Sequence, residues 1–347
     1  MFIEIGIFLM ALIVLIKSSD YFVKAAASIA EKLGINEFII GLTLVAFGTS
    51  VPELASSAFA AARGNSGIVI GNIVGSNIAN IGLVIGFAAF ISTIKTKEEM
   101  LIRDGYIMLF SSILFYLLII YGRITRFSAG ILLVFYIVYI IFLFETKSKT
   151  RDEYHFNNFI KYFFQMRYIQ TLKRRILEQL KQERAKNKEI KLILKEGVLK
   201  DIFLIIVTGI AIYFSAKYIV IEAVFFANAL HLSETLIGVS LIAFGTSVPE
   251  LSVSISAARK GYGDIAVGNI IGSNIANILL VGGIAGLIAP LGISKLSLLI
   301  TGPMMLIMCL LLLNFIKSGW KIHRFEGGIF LGLYSLFLLI LFFARNI

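Results

Sequence analysis

Two polar kernels recur inside apolar stretches of this chain at one constant displacement. GTSVPE spans Gly48 to Glu53 and returns unchanged as Gly245 to Glu250. GNIVGSNIAN, Gly71 to Asn80, returns as GNIIGSNIAN, Gly268 to Asn277, with only Val74 replaced by Ile271. Both pairs stand 197 residues apart. One offset shared by two motifs marks a single ancestral unit present twice. The chain must therefore fold as two related halves, and whatever the kernels do, they do in pairs.

The surroundings of the kernels fix the solvent. Hydrophobic residues make up 58% of the 347 residues and charged residues 15%, with a mean hydropathy of +0.91. That balance lies outside the range of soluble domains. A spanning helix needs roughly 20 mostly apolar residues. Such segments fall near 3–29, 36–62, 68–91, 104–121, 127–144, 199–228, 235–258, 265–289, 296–316 and 326–343. The expectation is an all-α polytopic membrane protein of ten transmembrane helices. The first repeat occupies 1–145, a linker 146–198 and the second repeat 199–347. Five spans per repeat is an odd number, so the second repeat enters from the opposite side and the halves are inverted. Inverted repeats with Gly/Pro-interrupted segments at matching places point to a secondary transporter with a site near the midplane.

Most of the net charge of +11 sits between the halves: residues 147–200 hold fifteen Lys/Arg against six Asp/Glu. Within that segment Phe159, Phe163, Met166, Ile169, Leu172, Ile176 and Leu180 recur at spacings of three or four, which predicts an amphipathic helix with a basic face. It is either a solvated linker helix or a peripheral helix on anionic lipid. No nucleic-acid module accompanies the charge, so no nucleic-acid partner is expected. Short loops on the linker's side carry the larger share of Lys/Arg, which predicts a cytoplasmic linker in the cell membrane with both termini outside. The single Cys309 excludes an internal disulfide, and His155, His231 and His323 are too scattered for a metal centre. No cofactor is expected, and no arrangement for enzymatic catalysis is visible.

The kernels themselves read as oxygen chemistry. Pro52 lacks an amide hydrogen and clashes with the preceding turn, so the helix through Gly48–Glu53 should break. Broken backbone in hydrocarbon must line a cavity or bind something. Ala46 and Ala243 can offer carbonyl oxygens, Thr49, Ser50, Thr246 and Ser247 add hydroxyls, and Glu53 and Glu250 add charge. Ser76 and Asn80 share a helix face, as do Ser273 and Asn277, while Asn77 and Asn274 point elsewhere. These are hard oxygen donors, which suit Ca²⁺ and also Na⁺. Two carboxylates in hydrocarbon are costly alone, and that cost falls if one divalent cation sits between them. Gly268 and Gly272, like Gly71 and Gly75, allow close helix approach. Asp20 and Lys24, four apart in the first span, are expected to pair or to sit near the interface.

At these residues the chain resembles the cation/calcium antiporter superfamily, and within it the prokaryotic sodium/calcium exchangers. Each half carries a GTS-P-E motif followed by GN-x-x-GSN-x-x-N, strongest over 41–80 and 238–277. The resemblance implies Glu53 and Glu250 as principal cation ligands. It also implies sodium sites lined by Thr49, Thr246, Ser50, Ser247, Ser76 and Ser273, joined by the backbone oxygens of Ala46 and Ala243. It further implies four adjacent sites, one for Ca²⁺ and the others for Na⁺, that cannot all be filled together. Similar exchangers commonly carry an aspartate at one of the positions held here by Asn80 and Asn277. The implied activity is exchange of Na⁺ for Ca²⁺ by alternating access, with a monomer sufficient. A cation/proton exchanger, coupled to H⁺ or K⁺ or moving another divalent ion, is the alternative; it would need a further membrane acid, for which only Asp20 and Glu222 offer themselves. A cation channel is a third reading, and it would usually require a ring of subunits.

Overall fold

The computed structural model describes residues 2–33, 37–146, 155–171, 197–229 and 247–343. The helices in chain order are α1 (Phe2–Leu33), α2 (Glu37–Thr49), α3 (Val51–Ala62), α4 (Ser66–Ile91), α5 (Met100–Ile120) and α6 (Arg126–Thr146). They continue with α7 (Phe156–Phe164), α8 (Val198–Ala229), α9 (Val248–Arg259), α10 (Gly263–Ile288), α11 (Ser297–Lys317) and α12 (Arg324–Phe343). Among the described residues eight helices are long and apolar enough to cross a membrane, and nine spans result when α2 and α3 count as one bent span. The protein is an all-α, multi-pass integral membrane protein. The span expected near 235–258 enters the described residues only at Ser247, where α9 begins.

Proline chemistry explains the bend. Helices α2 and α3 meet at 45°, with the break at Ser50 (φ −85°, ψ 4°). Pro52 sits in the first turn of α3, where its missing N–H is no loss, but its ring opposes a straight continuation from the preceding turn. The second copy repeats this: Ser247 (φ −89°, ψ 0°) precedes α9, with Pro249 in the first turn. Each GN-x-x-GSN-x-x-N helix then widens into π-helical turns beginning at its last asparagine, over Asn80–Ile85 and Asn277–Val281.

Packing divides the molecule in two. In lipid, helices associate through close packing and not through water exclusion. One large apolar cluster joins α4 to α6 with α10 to α12, among them Ile73, Ile78, Met108, Phe115, Ile275, Met308 and Phe330. A smaller cluster holds α1 and α8 against α9 and the ends of α2 and α10. Helices α1 and α8, each 32 residues long, make the most extensive helix contact among the described residues. Asp201 of α8 ties them, accepting from Ser28 (2.7 Å) and Lys32 (2.6 Å) of α1. Asp20 pairs across to Lys260 and Ser256 at the end of α9. It does not pair with Lys24, which lies over the Tyr21 ring.

Glycine permits the tightest crossing, between α10 and α2. A Cβ on Gly272 would stand 2.5 Å from the Leu42 carbonyl oxygen, and one on Gly268 would stand 2.6 Å from that of Phe38. No other residue type allows the backbones to approach so closely. Two ribbons, each made of two strands of two residues, link loops of the two halves. β1 (Ile94–Lys95) pairs antiparallel with β4 (Lys321–Ile322), and β2 (Arg123–Ile124) with β3 (Leu291–Gly292).

The amphipathic linker helix is realised only in part. α7 ends at Phe164, Met166 takes a positive φ of 52°, and a further turn covers 167–171. Phe159 and Tyr162 are buried against α6, and Phe163 stacks on Phe135 at 4.1 Å. The apolar stripe is thus satisfied by protein at α7, while Met166 faces outward. Leu172, Ile176 and Leu180 lie outside the described residues. Nearby, Arg103 and Asp104 form a buried ion pair (2.7 Å) to which the Tyr139 hydroxyl donates at 3.0 Å.

Candidate cation site

The two copies of GTSVPE meet across the molecule. Ser50 of the first kernel donates to Oε1 of Glu250 of the second at 3.4 Å. Glu53 and Glu250 are both fully buried, at 1% and 0% exposure. Each stands in the first turn after its break, with Glu53 on α3 and Glu250 on α9. Among the described residues Glu250 forms no ion pair, and its Oε2 has no hydrogen-bond partner. Uncompensated carboxylate oxygen of this kind is costly at depth in a membrane protein and marks a place where charge arrives from outside.

Neutral oxygens gather beside it. The Thr49 hydroxyl lies 3.3 Å from the Ala46 carbonyl oxygen, 3.1 Å from Asn269 Oδ1 and 3.5 Å from Ser273 Oγ. Ser273 in turn reaches the same Ala46 oxygen at 3.5 Å. The Ala46 carbonyl is not stripped of helix bonding, since it accepts the Ser50 N–H at 3.0 Å. What it offers a cation is its second lone pair, turned toward Thr49 and Ser273. Ser247 is buried, and its hydroxyl has no partner among the described residues. Ala243 and Thr246 lie outside the described residues.

The asparagines form a second tier. Asn80 donates to Asn274 Oδ1 at 3.0 Å, and Asn274 donates to the Asn77 carbonyl at 3.5 Å. The repeats therefore touch directly through their second kernels. Of the two asparagines expected to point elsewhere, Asn274 joins this contact with its side chain and also faces Met108 at 3.7 Å, whereas Asn77 contributes its backbone carbonyl and turns its side chain to Met305 at 3.7 Å. Asn277 is wholly buried, and neither atom of its amide has a partner among the described residues. Oδ1 of Asn80 is likewise unpartnered. Buried amides left unsatisfied call for an explanation, and a ligand that coordinates oxygen supplies one.

Four residues escaped the sequence reading. Asn72 donates to the Glu53 carbonyl (3.1 Å), Ser57 (2.8 Å) and Ser56 (3.1 Å), and its own Oδ1 accepts from Ser76 at 3.4 Å. Asn269, its counterpart, accepts from Thr49 and donates to Ser254 at 3.1 Å. The signal was available: Asn72 and Asn269, like Ser57 and Ser254, match at the same 197-residue displacement.

Residues 3–145 and 200–343 match the model of the family described as "Sodium/calcium exchanger protein". The chain belongs to the sodium/calcium exchanger family. Among relatives in this family, it is 48% identical over 346 residues to the sodium/calcium exchanger MaX1 of Methanosarcina acetivorans, covering 97% of this chain and 98% of the relative. It is 32% identical over 294 residues to the inner membrane protein YrbG of Escherichia coli, covering 84% and 81%. A solved structure of the sodium-calcium exchanger NCX_Mj, soaked with Na⁺ and Sr²⁺, superposes with a TM-score of 0.76 at 32% identity, covering 96% of each chain. Among the described residues no cluster of three or more His, Cys, Asp or Glu offers another metal site.

Proposed function

We propose that the protein is a secondary active antiporter that exchanges Na⁺ for Ca²⁺ across the membrane by alternating access. Cations are its transported cargo, and it is not an enzyme. The observation that carries the reading is the meeting of Ser50 with the buried, partly unsatisfied carboxylate of Glu250, beside the Thr49, Ser273 and Ala46 oxygens. Two glutamates neutralise one divalent ion, and the hydroxyls and carbonyls complete an oxygen shell of the kind Ca²⁺ accepts. Na⁺ uses the same oxygens, so occupation by one ion excludes the other and couples their movements. Glu53, Glu250, Thr49, Thr246, Ser50, Ser247, Ser76, Ser273, Asn80, Asn277 and the Ala46 and Ala243 carbonyls make up the proposed ligand set.

The same reading gives ten spans in two inverted repeats, 1–145 and 199–347, joined by the linker 146–198. The ribbons support inversion. β1 and β3 are equivalent strands 197 residues apart, following the third span of each repeat, while β2 and β4 follow the fourth. β1 pairs with β4 and β2 with β3. Consecutive loops of a spanning chain lie on opposite membrane faces, so a third-span loop of one half can meet a fourth-span loop of the other only if the halves run in opposite senses. The α1–α8 pair, with its own apolar cluster, is the body that moves against the core. The linker faces the cytoplasm with both termini outside, in keeping with the distribution of Lys/Arg. One chain carries both halves of the site, so a monomer suffices.

The test is uptake of radiolabelled Ca²⁺ into proteoliposomes under an outward Na⁺ gradient. Uptake is expected to follow that gradient and to vanish in Glu53→Gln and in Glu250→Gln. Uptake indifferent to Na⁺ but driven by a pH gradient would favour the proton-coupled alternative instead.

A further inference from the structure

A cation is held by lone pairs, whereas a hydroxyl carries two lone pairs and one proton. A serine or threonine serves as a ligand only if its proton is directed away from the ion. For Ser76 and Thr49 the acceptors of those protons are Asn72 and Asn269. The Ser76 hydroxyl donates to Asn72 Oδ1 at 3.4 Å, and Thr49 has Asn269 Oδ1 at 3.1 Å, closer than the Ala46 carbonyl at 3.3 Å. With the Thr49 proton on Asn269, the Thr49 oxygen keeps a lone pair for the cargo.

The orientation of the Asn72 carboxamide is itself determined. The backbone oxygen of Glu53 can only accept, so the Asn72 atom 3.1 Å from it is the amide nitrogen, and Ser57 at 2.8 Å takes the second amide hydrogen. The Asn269 nitrogen donates to the Ser254 hydroxyl at 3.1 Å. A flipped carboxamide would offer N–H to the hydroxyl and force the hydroxyl's own proton toward the ion. Both asparagines are buried, at 6% and 0% exposure, so water does not substitute for them.

We propose that Asn72 and Asn269 are positioning residues that fix the hydroxyl protons of Ser76 and Thr49 away from the cation, with Ser57 and Ser254 fixing the carboxamides. The proposal rests on reading Thr49 and Ser76 as cation ligands. Neutral ligands count for more with Na⁺, which gains less than Ca²⁺ from the two carboxylates. The asparagines therefore tune the Na⁺ side of the exchange.

The experiment is Na⁺-driven Ca²⁺ flux in proteoliposomes, with the half-saturating Na⁺ concentration and the maximal rate measured separately. The variants are Asn269→Ala, Ser254→Ala, Thr49→Ala and the doubles of Thr49→Ala with each of the first two. Loss of one neutral hydrogen bond is expected to raise half-saturating Na⁺ about fivefold in Asn269→Ala and in Ser254→Ala, with the maximal rate retained. Each double is expected to be no worse than Thr49→Ala alone. If Thr49→Ala raises half-saturating Na⁺ but the second substitution multiplies the effect, the positioning role is wrong while Thr49 remains a ligand. A fall in maximal rate at unchanged half-saturation is a merely structural effect and also overturns the role. If Thr49→Ala leaves half-saturating Na⁺ unchanged, the ligand reading of Thr49 falls and the inference with it. Should Asn269→Ala fail to purify as a folded protein, Ser254→Ala and its double carry the same comparison.

Discussion

Replacing Gly272 by alanine tests whether the α10–α2 crossing sets the geometry of the site. The added Cβ would stand 2.5 Å from the Leu42 oxygen and 2.7 Å from the Ala46 Cβ, where ordinary contact begins at 3.4 Å. The helices must part by about 0.9 Å at this point, because both obstructing groups are backbone or Cβ atoms with no rotamer to change. Overpacking of this kind costs about 1–3 kcal/mol. At roughly 2–4 °C per kcal/mol for a large domain, the thermal midpoint of the detergent-purified protein falls by several degrees. The same displacement separates Ser273, the next residue on α10, from the Ala46 carbonyl it now reaches at 3.5 Å. Half-saturating Na⁺ in the flux assay therefore rises as well. Gly332→Ala on α12, where an added Cβ meets nothing within 4 Å, is the control and leaves both readouts unchanged. A Gly272→Ala protein with wild-type melting and wild-type flux would refute the close crossing. Lowered melting with intact Na⁺ dependence would break the link between the crossing and the ligands.

Further outcomes follow from other residues. Asn277→Asp adds a third carboxylate where an amide has no partner, and the expected result is tighter Na⁺ binding and a reversal potential shifted toward more Na⁺ per Ca²⁺; an unchanged reversal potential would count against Asn277 as part of the site. Asp104→Ala removes the buried carboxylate that pairs with Arg103 and accepts from Tyr139, and the loss is read as a drop in melting temperature. Asp20→Asn removes the link from α1 to Lys260. Because that pair is partly exposed, stability should change by under about 1 kcal/mol, while the accessibility of single cysteines placed along α1 shifts between the two sides of the membrane.

The candidate site was legible where chemistry is written in residue type and position along the chain. Pro52, the two glutamates and the Ser/Asn face could be read directly because a duplicated polar kernel in lipid has few bland explanations. The roles of Asn72, Ser57, Asn269 and Ser254 depend on how α3, α4, α9 and α10 are rotated against one another, and a single sequence does not encode that locally. A pair between Asp20 and Lys24, one of the two readings of that residue, gave way for a related reason. A partner at i+4 was plausible, yet Lys260, 240 residues away, lies closer once α1 packs on α9. The apolar periodicity of the linker helix does not reveal the positive φ at Met166 that interrupts it. The widening of the helices at Asn80 and Asn277 likewise has no signature in spacing, since π-helical turns borrow one residue from an otherwise helical pattern.

The two ribbons carry a historical consequence. β1 with β4 and β2 with β3 are one contact made twice, each half giving to the other what it receives. That reciprocity is the mark of an isologous interface between two identical subunits. A single ancestral unit inserted in the membrane in both orientations would have met its own copy through these same edges. On the proposed division into 1–145 and 199–347, the segment that joins them would be a tether added to an older homodimer. Expressing 1–145 and 199–347 as separate chains should still reassemble an exchanger.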